Sequence, residues 1–174
     1  MSLDIYARRP QNGIMDEIDR TGGGQNEDEE VFSLIYLSEA TESLDENALE
    51  VLAVEAAANN ACMGITGYLT FRGSRFTQYL EGPQSEVLAL MERIKNDERH
   101  TVLVVVELGT LPRYFPGWSM RHLDPLWHPI EGPLDTIEEL LSLVRQSPDD
   151  GSADQAVITS SLTKIVGQVA QLTS

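Results

Sequence analysis

The order of short apolar segments and helical segments between residues 32 and 123 constrains the fold more than any other feature of the sequence. Five segments are short and apolar, most of them with aromatic or β-branched residues, as buried strands are: 32–38, 65–71, 75–80, 101–108 and 118–123. Two helical segments separate them in the order βαββαββ. This order predicts an α+β domain with a ferredoxin-like sheet and both crossover helices on one face.

Capping residues and apolar spacing mark the two crossover helices. Ser43 is the predicted N-cap of the first helix, and Glu46, three residues later, completes a capping box. This helix is predicted to end at about Asn59. The second helix is predicted over 83–97, with its apolar residues on one stripe.

The remaining face of the predicted sheet needs a cover, which the C-terminal part of the sequence supplies. Segments 133–146 and 154–172 have helical apolar spacing, and a break near 148–151 separates them. We expect these two helices to lie on the face that the crossover helices leave free. Run 101–108 is dominated by valine and is predicted to be a central strand, buried on both faces.

The sequence divides into three parts by composition. Residues 1–30 are acidic, contain a glycine run and lack regular apolar spacing, which predicts a flexible N-terminal extension. Residues 31–125 form the predicted domain. Residues 126–174 are predicted to be a helical cap that also serves as the output segment.

Charge and cysteine content exclude several classes of function. The chain has 28 acidic and 12 basic residues, a formal net charge of -16 that disfavours direct binding to nucleic acid or to anionic membranes. A single cysteine, Cys62, allows no disulfide within the chain, and no apolar run is long enough to span a membrane. We therefore expect a cytoplasmic protein. The scattered His100, His122 and His128 have no metal-ligand spacing, so no metal is expected.

Polar side chains on otherwise apolar strands are the first candidates for a functional site. By the alternation of a strand, Gln78 points the same way as Phe76 and Leu80, into the core. Tyr36 likewise shares a face with Leu34. A simpler interpretation is open for each: a core tyrosine bonded to a backbone carbonyl, and an amide that satisfies a strand end or a buried water.

The other polar candidates also have two interpretations. Asn59 and Asn60 end the first helix, where asparagine is a common cap. Arg93 and Arg99 form either a solvated basic helix end or a clamp for an anionic or carbonyl group. Phosphate loops, nucleophile elbows and paired histidines are missing from the sequence, so no enzyme activity is expected.

The stretch from about 31 to 125 resembles the BLUF domain, a bacterial blue-light receptor that uses flavin. Five blocks carry the resemblance in the order of the family. They are LIYLS at 34–38, NNACMGITG at 59–67, FTQYLEGP at 76–83, RIKNDERH at 93–100 and RYFPGWSM at 113–120.

The resemblance implies a flavin held without a covalent bond between the two crossover helices. The flavin is usually FAD, with FMN or riboflavin also possible. Asn60 matches an asparagine that hydrogen-bonds the flavin ring, Asn59 is its neighbour, and Ile65 would pack on the ring. The remaining positions that the resemblance assigns to the pocket are Arg93, Asp97, Arg99 and His100.

The resemblance also implies a mechanism. Tyr36 matches the tyrosine that gives an electron to the excited flavin, and its proton passes through Gln78. The rearranged amide then leaves a red-shifted state that decays in darkness. Ser38, Trp118 and Met120 match positions that modulate this change, although a tryptophan and a methionine on one strand face are also ordinary core residues.

The resemblance implies a sensor that reports to another protein. About fifty residues follow the predicted sheet, too few for an attached enzyme domain, so output is expected through a downstream signalling partner that contacts the C-terminal helices. A homo-oligomer is also expected. The alternative is a light-independent ferredoxin-like protein-interaction module, and a flavoenzyme is a third possibility.

Overall fold

The computed structural model describes residues 29–43, 45–124, 130–147 and 153–174. The elements in chain order are β1 (Glu30–Ala40), α1 (Glu46–Cys62), β2 (Thr66–Arg72), β3 (Arg75–Gly82), α2 (Gln84–Lys95), β4 (His100–Pro112), β5 (Arg121–His122), α3 (Glu131–Gln146) and α4 (Ala153–Thr173). The predicted acidic extension, except Glu29 and Glu30, and the predicted break at 148–151 lie outside the described residues.

One five-stranded sheet organises the domain. Its strand order is β4-β1-β3-β2-β5. β1 runs antiparallel to both β3 and β4, β2 runs antiparallel to β3, and β5 runs parallel to β2. This is the ferredoxin-like order with one added edge strand, and it confirms the predicted α+β class.

Strand alternation divides the buried side chains into two layers. The front layer lies between the sheet and the helices α1 and α2, and its buried members include Leu34, Ile65, Leu80 and Met91. The back layer lies between the sheet and the helices α3 and α4, and its buried members include Ile35, Tyr68, Tyr79, Ile137 and Val166. The prediction that the C-terminal helices cover the second face is confirmed.

The valine-rich strand β4 lies at the edge of the sheet, and the prediction of a central strand is wrong. Its register against β1 slips twice, which leaves Leu103 and Leu108 as extra residues. The slip at Leu103 turns Leu103 and Val104 together towards the back layer, while Val102 and Val105 pack on the front layer. Helices on both faces, rather than strands on both sides, account for the apolar run.

The fifth strand is much shorter than predicted. The sequence indicated a strand over 118–123, but β5 comprises only two residues, which pair with Tyr68 and Leu69 of β2. The chain before it is irregular because its backbone bonds elsewhere: the Trp118 carbonyl accepts a hydrogen bond from the Gly67 N–H at 3.0 Å. Trp118 and Met120 therefore do not share a strand face.

Helix α1 begins with a different cap from the one predicted. Asp45 is the N-cap, and its Oδ1 accepts a hydrogen bond from the Ala48 N–H at 2.8 Å. Ser43 lies outside the helix, so the predicted capping box of Ser43 and Glu46 is wrong. An aspartate is as good a cap as a serine, and Asp45 stands at the spacing that reaches the third N–H of the helix.

Candidate functional site

Tyr36 and Gln78 face each other across the centre of the sheet. They are direct partners in the register of β1 and β3, and both are buried in the front layer. The Tyr36 hydroxyl donates a hydrogen bond to Gln78 Oε1. Each of the two residues thus satisfies the other, in place of the backbone or water partners that a plain core would use.

The other end of the Gln78 amide has a much weaker partner. Gln78 Nε2 donates to the Met120 Sδ at 3.3 Å. A thioether sulfur is a weak acceptor, whereas the amide oxygen takes a phenolic O–H. The amide is therefore held firmly at its oxygen and loosely at its nitrogen, and Met120 is the residue that closes this end of the site.

His100 and Ser38 add polar atoms to the same layer. The His100 ring stacks beside the Tyr36 ring with centroids 6.5 Å apart and meets Phe76 edge-on at 5.9 Å. The His100 Nδ1 and the Ser38 Oγ are buried, and neither has a hydrogen-bond partner among the described residues. Buried polar atoms without partners are costly, and a polar ligand in this layer would satisfy them.

Asn60 connects the end of α1 to the segment that carries Met120. Its side chain is 1% exposed, and its Nδ2 donates to the Ser119 carbonyl at 3.1 Å. Ile65 is fully buried in the front layer a few residues further along. Asn59 is exposed on the helix surface and is not brought to this group.

Asp97 and Arg99 form an ion pair just after α2. Arg99 donates to Asp97 through Nε at 2.9 Å and Nη2 at 2.6 Å, and this side-chain bonding lowers the pKa of the Asp97 carboxyl to about 2. Arg93 lies in the last turn of α2, is exposed, and donates from Nη2 to the Met63 Sδ at 3.1 Å. Arg93 and Arg99 are thus placed at the rim of the front layer, and Arg99 is already engaged.

The electrostatics favour the uncharged forms of Tyr36 and His100. Burial, and secondarily the charge of Asp97, raise the pKa of the Tyr36 hydroxyl well above its ordinary value of 10.0. Burial is also the largest cause of a lowered pKa at His100, where Asp97 opposes the shift and Arg99 adds to it. Tyr36 therefore stays protonated, and its O–H group donates a hydrogen bond to Gln78.

Trp118 is not brought to Gln78. Its ring packs against the back layer, with the Phe115 ring at a centroid distance of 5.3 Å and the Arg121 guanidinium 4.2 Å above it. Of the three residues predicted to modulate the site, Met120 contacts Gln78, Ser38 lies in the same layer, and Trp118 lies on the other side of the segment.

Glu81 and Arg113 are two buried charged residues to which the sequence analysis assigned no role. Glu81 is fully buried and Arg113 is 4% exposed. The signal was present in the strand: Glu81 alternates with Thr77 and Tyr79 on the inward back face, where a carboxylate needs several hydrogen-bond donors.

The two helices over the front layer pack against different strands. The site lies at the boundary between the two helices. Helix α1 packs on β2 and β5, and α2 packs on β1, β3 and β4. Gln78 on β3 and Met120 beside β2 lie where these two areas meet. A cofactor between the helices would therefore lie against the Tyr36–Gln78 pair.

The comparisons with known proteins place this fold in a family of sensory modules. The family model for BLUF, described as sensors of blue-light using FAD, matches residues 31–121, more than half of the chain. The chain belongs to the BLUF family.

Three known proteins show the extent of the similarity. The photoactivated adenylate cyclase subunit beta of Euglena gracilis is 35% identical over 95 residues, which are 53% of this chain and 11% of that protein. The blue light- and temperature-regulated antirepressor BluF of Escherichia coli K12 is 35% identical over 106 residues, 60% of this chain and 26% of that protein. The solved structure of the BlrP1 BLUF domain, with 29% identity and a TM-score of 0.50, matches over 75% of this chain and 88% of its own. The chain thus spans only about a tenth of the length of the cyclase subunit.

Proposed function

We propose that this chain is a blue-light photoreceptor in which Tyr36 and Gln78 form the light-driven switch. The observation that carries the proposal is the buried hydrogen bond from the Tyr36 hydroxyl to Gln78 Oε1, placed at the boundary between α1 and α2. Membership in a family of blue-light sensors that use FAD supports it. The proposed domain is a sensory module without chemical turnover of its own.

The residues around this pair fit a flavin. When bound, the flavin supplies absorption of blue light and an excited state that accepts an electron. Asn60 and Ile65 would hold its ring, and the His100 Nδ1 and Ser38 Oγ, which find no partner in the described part of the chain, would meet its polar groups. FAD is the proposed flavin, with FMN and riboflavin as alternatives. The rim residues Asp97, Arg99 and Arg93 belong to this proposal as outer contacts, and a role for Asn59, which is exposed on α1, rests on the resemblance alone.

The chain's own part in the mechanism is a coupled loss of an electron and a proton at Tyr36. A phenol with a raised pKa holds its proton in darkness and becomes strongly acidic once it has lost an electron. The proton would then move along the existing hydrogen bond to Gln78 Oε1, while a proton leaves Nε2 for the group that took the electron, so that the amide stays neutral. Because Met120 holds the other end of the amide only weakly, Gln78 can tautomerise or turn, and the altered bonds mark the signalling state.

The signal is proposed to leave through the C-terminal helices. In this proposal residues 31–125 are the flavin-binding domain, 126–174 are the output segment, and 1–30 are an acidic extension. Helices α3 and α4 cover the back of the same sheet that carries Tyr36 and Gln78, and they expose Leu143, Val157 and Leu172. A downstream protein, or a second copy of the chain, would contact this surface.

The cellular setting remains a prediction from the sequence. No helix within the described part of the chain is long and apolar enough to cross a membrane. The proposed cytoplasmic location and the proposed lack of nucleic-acid binding rest on the single cysteine and on the net charge of -16.

Absorption spectroscopy tests the proposal. The purified chain, loaded with flavin, is measured in darkness, after blue light and during recovery, beside the variants Tyr36→Phe and Gln78→Leu. We expect a reversible red shift in the native protein and its loss in both variants, since each removes one partner of the buried bond. A preparation that is colourless and refuses added flavin would instead favour the light-independent interaction module.

A further inference from the structure

Glu81 is a buried carboxylate that the proposed switch does not use. It lies three residues beyond Gln78 on β3 but faces the back layer. Each of its oxygens accepts one backbone N–H and one hydroxyl. Oε2 takes the Tyr114 N–H at 2.8 Å and the Tyr79 hydroxyl at 3.1 Å, while Oε1 takes the Phe115 N–H at 2.6 Å and the Thr66 hydroxyl at 2.9 Å.

Arg113 extends this network by one residue. Its Nη1 donates to the Thr66 Oγ1 at 2.8 Å and to the Gly64 carbonyl at 3.3 Å, and its Nε pairs with Glu29 at 3.0 Å. The Arg113 N–H also donates to the Glu29 carbonyl at 2.8 Å. Residues 113–115 are therefore held to β3, to the start of β2 and to the residue before β1. Most of these hydrogen bonds are charge-assisted, and such bonds are stronger than neutral ones.

The fixed residues are the base of the segment that carries Trp118 and Met120. The other end of this segment is held by neutral bonds: the Trp118 carbonyl accepts from the Gly67 N–H, the Ser119 carbonyl from Asn60 Nδ2, and the Met120 Sδ from Gln78 Nε2. Trp118 and Met120 point into opposite layers. Replacing Met120 by Trp118 at Gln78 would thus require the segment to turn on a base that stays in place.

We propose that Glu81 is a positioning residue of the light switch: its carboxylate clamps residues 113–115 as the stationary base that keeps Met120 at Gln78 and slows the return of the segment after illumination. This inference rests on the proposed photoreceptor function. It gives Glu81 a role in the lifetime of the light state rather than in binding the flavin, which lies on the other face of the sheet.

The hydrogen bonds of Glu81 make Glu81→Gln an informative test variant. In Glu81→Gln the side chain keeps its shape, but one acceptor oxygen becomes an NH₂ donor. A hydroxyl can turn and accept from that NH₂, whereas a backbone N–H cannot. Whichever way the amide is turned, either the Tyr114 N–H or the Phe115 N–H loses its acceptor and faces another donor.

The experiment compares flavin-loaded Glu81→Gln with the control Glu107→Gln, which removes one negative charge from an exposed position on β4. We expect recovery in darkness to be about fivefold faster or more in Glu81→Gln and unchanged in the control. A second readout is the fluorescence of Trp118 in a Trp127→Phe background, which should change in Glu81→Gln at temperatures well below its unfolding midpoint. Recovery and fluorescence equal to those of the control would overturn the inference.

Two further outcomes are distinguishable. If the native chain shows no light-induced shift, the photoreceptor proposal fails and this inference falls with it. If Glu81→Gln does not fold, Thr66→Val and Tyr79→Phe each remove one hydroxyl donor and loosen the clamp. Both should then recover faster than the native protein, and native recovery in both would overturn the inference.

Discussion

At the scale of single residues, the site depends on unequal partners. Gln78 has a strong partner in Tyr36 and a weak one in Met120, so the two ends of one amide are held with different strength. Asp97 and Arg99, in contrast, satisfy each other at the rim. The residues proposed to move are thus the weakly held ones, and the charged residues nearby are already paired.

The ion pair of Asp97 with Arg99 makes the stability of this rim depend on pH. The pKa of Asp97 in the folded chain is about 2, below its ordinary 3.8, so the pair stabilises the fold above the ordinary value and loses that contribution as the pH falls from about 4 to 2. We expect Asp97→Asn to lower the urea midpoint slightly at pH 7, because solvent screens the pair. The difference should vanish near pH 2.

Urea unfolding of the native chain and Asp97→Asn at pH 7, 4 and 2 measures this effect. Glu98→Gln, at the exposed neighbouring position, is the control for loss of one negative charge. A difference between the native chain and Asp97→Asn that persists unchanged at pH 2 would show that the carboxylate charge is not its cause.

At the scale of elements, the segment before β5 connects the site to helix α4. The Tyr114 ring lies over Gly167, and a Cβ at that glycine would stand 3.7 Å from the Tyr114 Cζ. Tyr114 is also one of the two residues whose N–H groups Glu81 holds. Helix α4, part of the proposed output segment, thus contacts the base of the segment that carries Met120, on the side away from Gln78.

Two substitutions at Gly167 test how tight this contact is. Gly167→Ala fits at van der Waals distance and raises helix propensity, so we expect the free energy of unfolding to rise by up to about 1 kcal/mol. Gly167→Leu has a similar propensity but must displace Tyr114, so we expect a loss of about 1 to 3 kcal/mol. Urea unfolding measures both, and equal stability of the two variants would argue against a tight contact.

At the scale of the whole molecule, the exposed apolar residues of α3 and α4 lie on a chain of strong negative charge. Val157 is 64% exposed and Leu172 is 48% exposed. A net charge of -16 opposes self-association, and salt screens that repulsion. An output surface between copies of the chain would therefore work best at high ionic strength.

We expect light to change the sedimentation of the flavin-loaded chain more at high salt than at low salt. The double variant Val157→Asp and Leu172→Asp should abolish that change, because it places charge on the proposed surface. Leu88→Asp, which introduces the same charge at an exposed apolar position of α2, is the control. Light-dependent sedimentation that survives in the double variant would place the contact elsewhere.

The sequence predicts the structure correctly where the periodicity of apolar residues decides it. The alternation of β3 predicted that Gln78 is buried, and helical spacing predicted the cover formed by α3 and α4. The prediction is wrong where backbone hydrogen bonds override the apolar pattern. The bond from the Gly67 N–H to the Trp118 carbonyl keeps the start of the predicted strand 118–123 out of regular strand structure. The edge position of β4 could not be predicted from the sequence either. An edge strand between two helical layers has the same valine-rich run as a central strand.

The two extra residues in β4 affect how strongly the protein tends to aggregate at high concentration. An edge strand offers an open row of backbone donors and acceptors on which another chain can grow a sheet. Leu103 and Leu108 interrupt the regular spacing of these backbone groups twice within the thirteen residues of β4. An incoming strand would lose its register at each of them, so the same irregularities that distribute valines between two layers also guard the molecule against fibre formation.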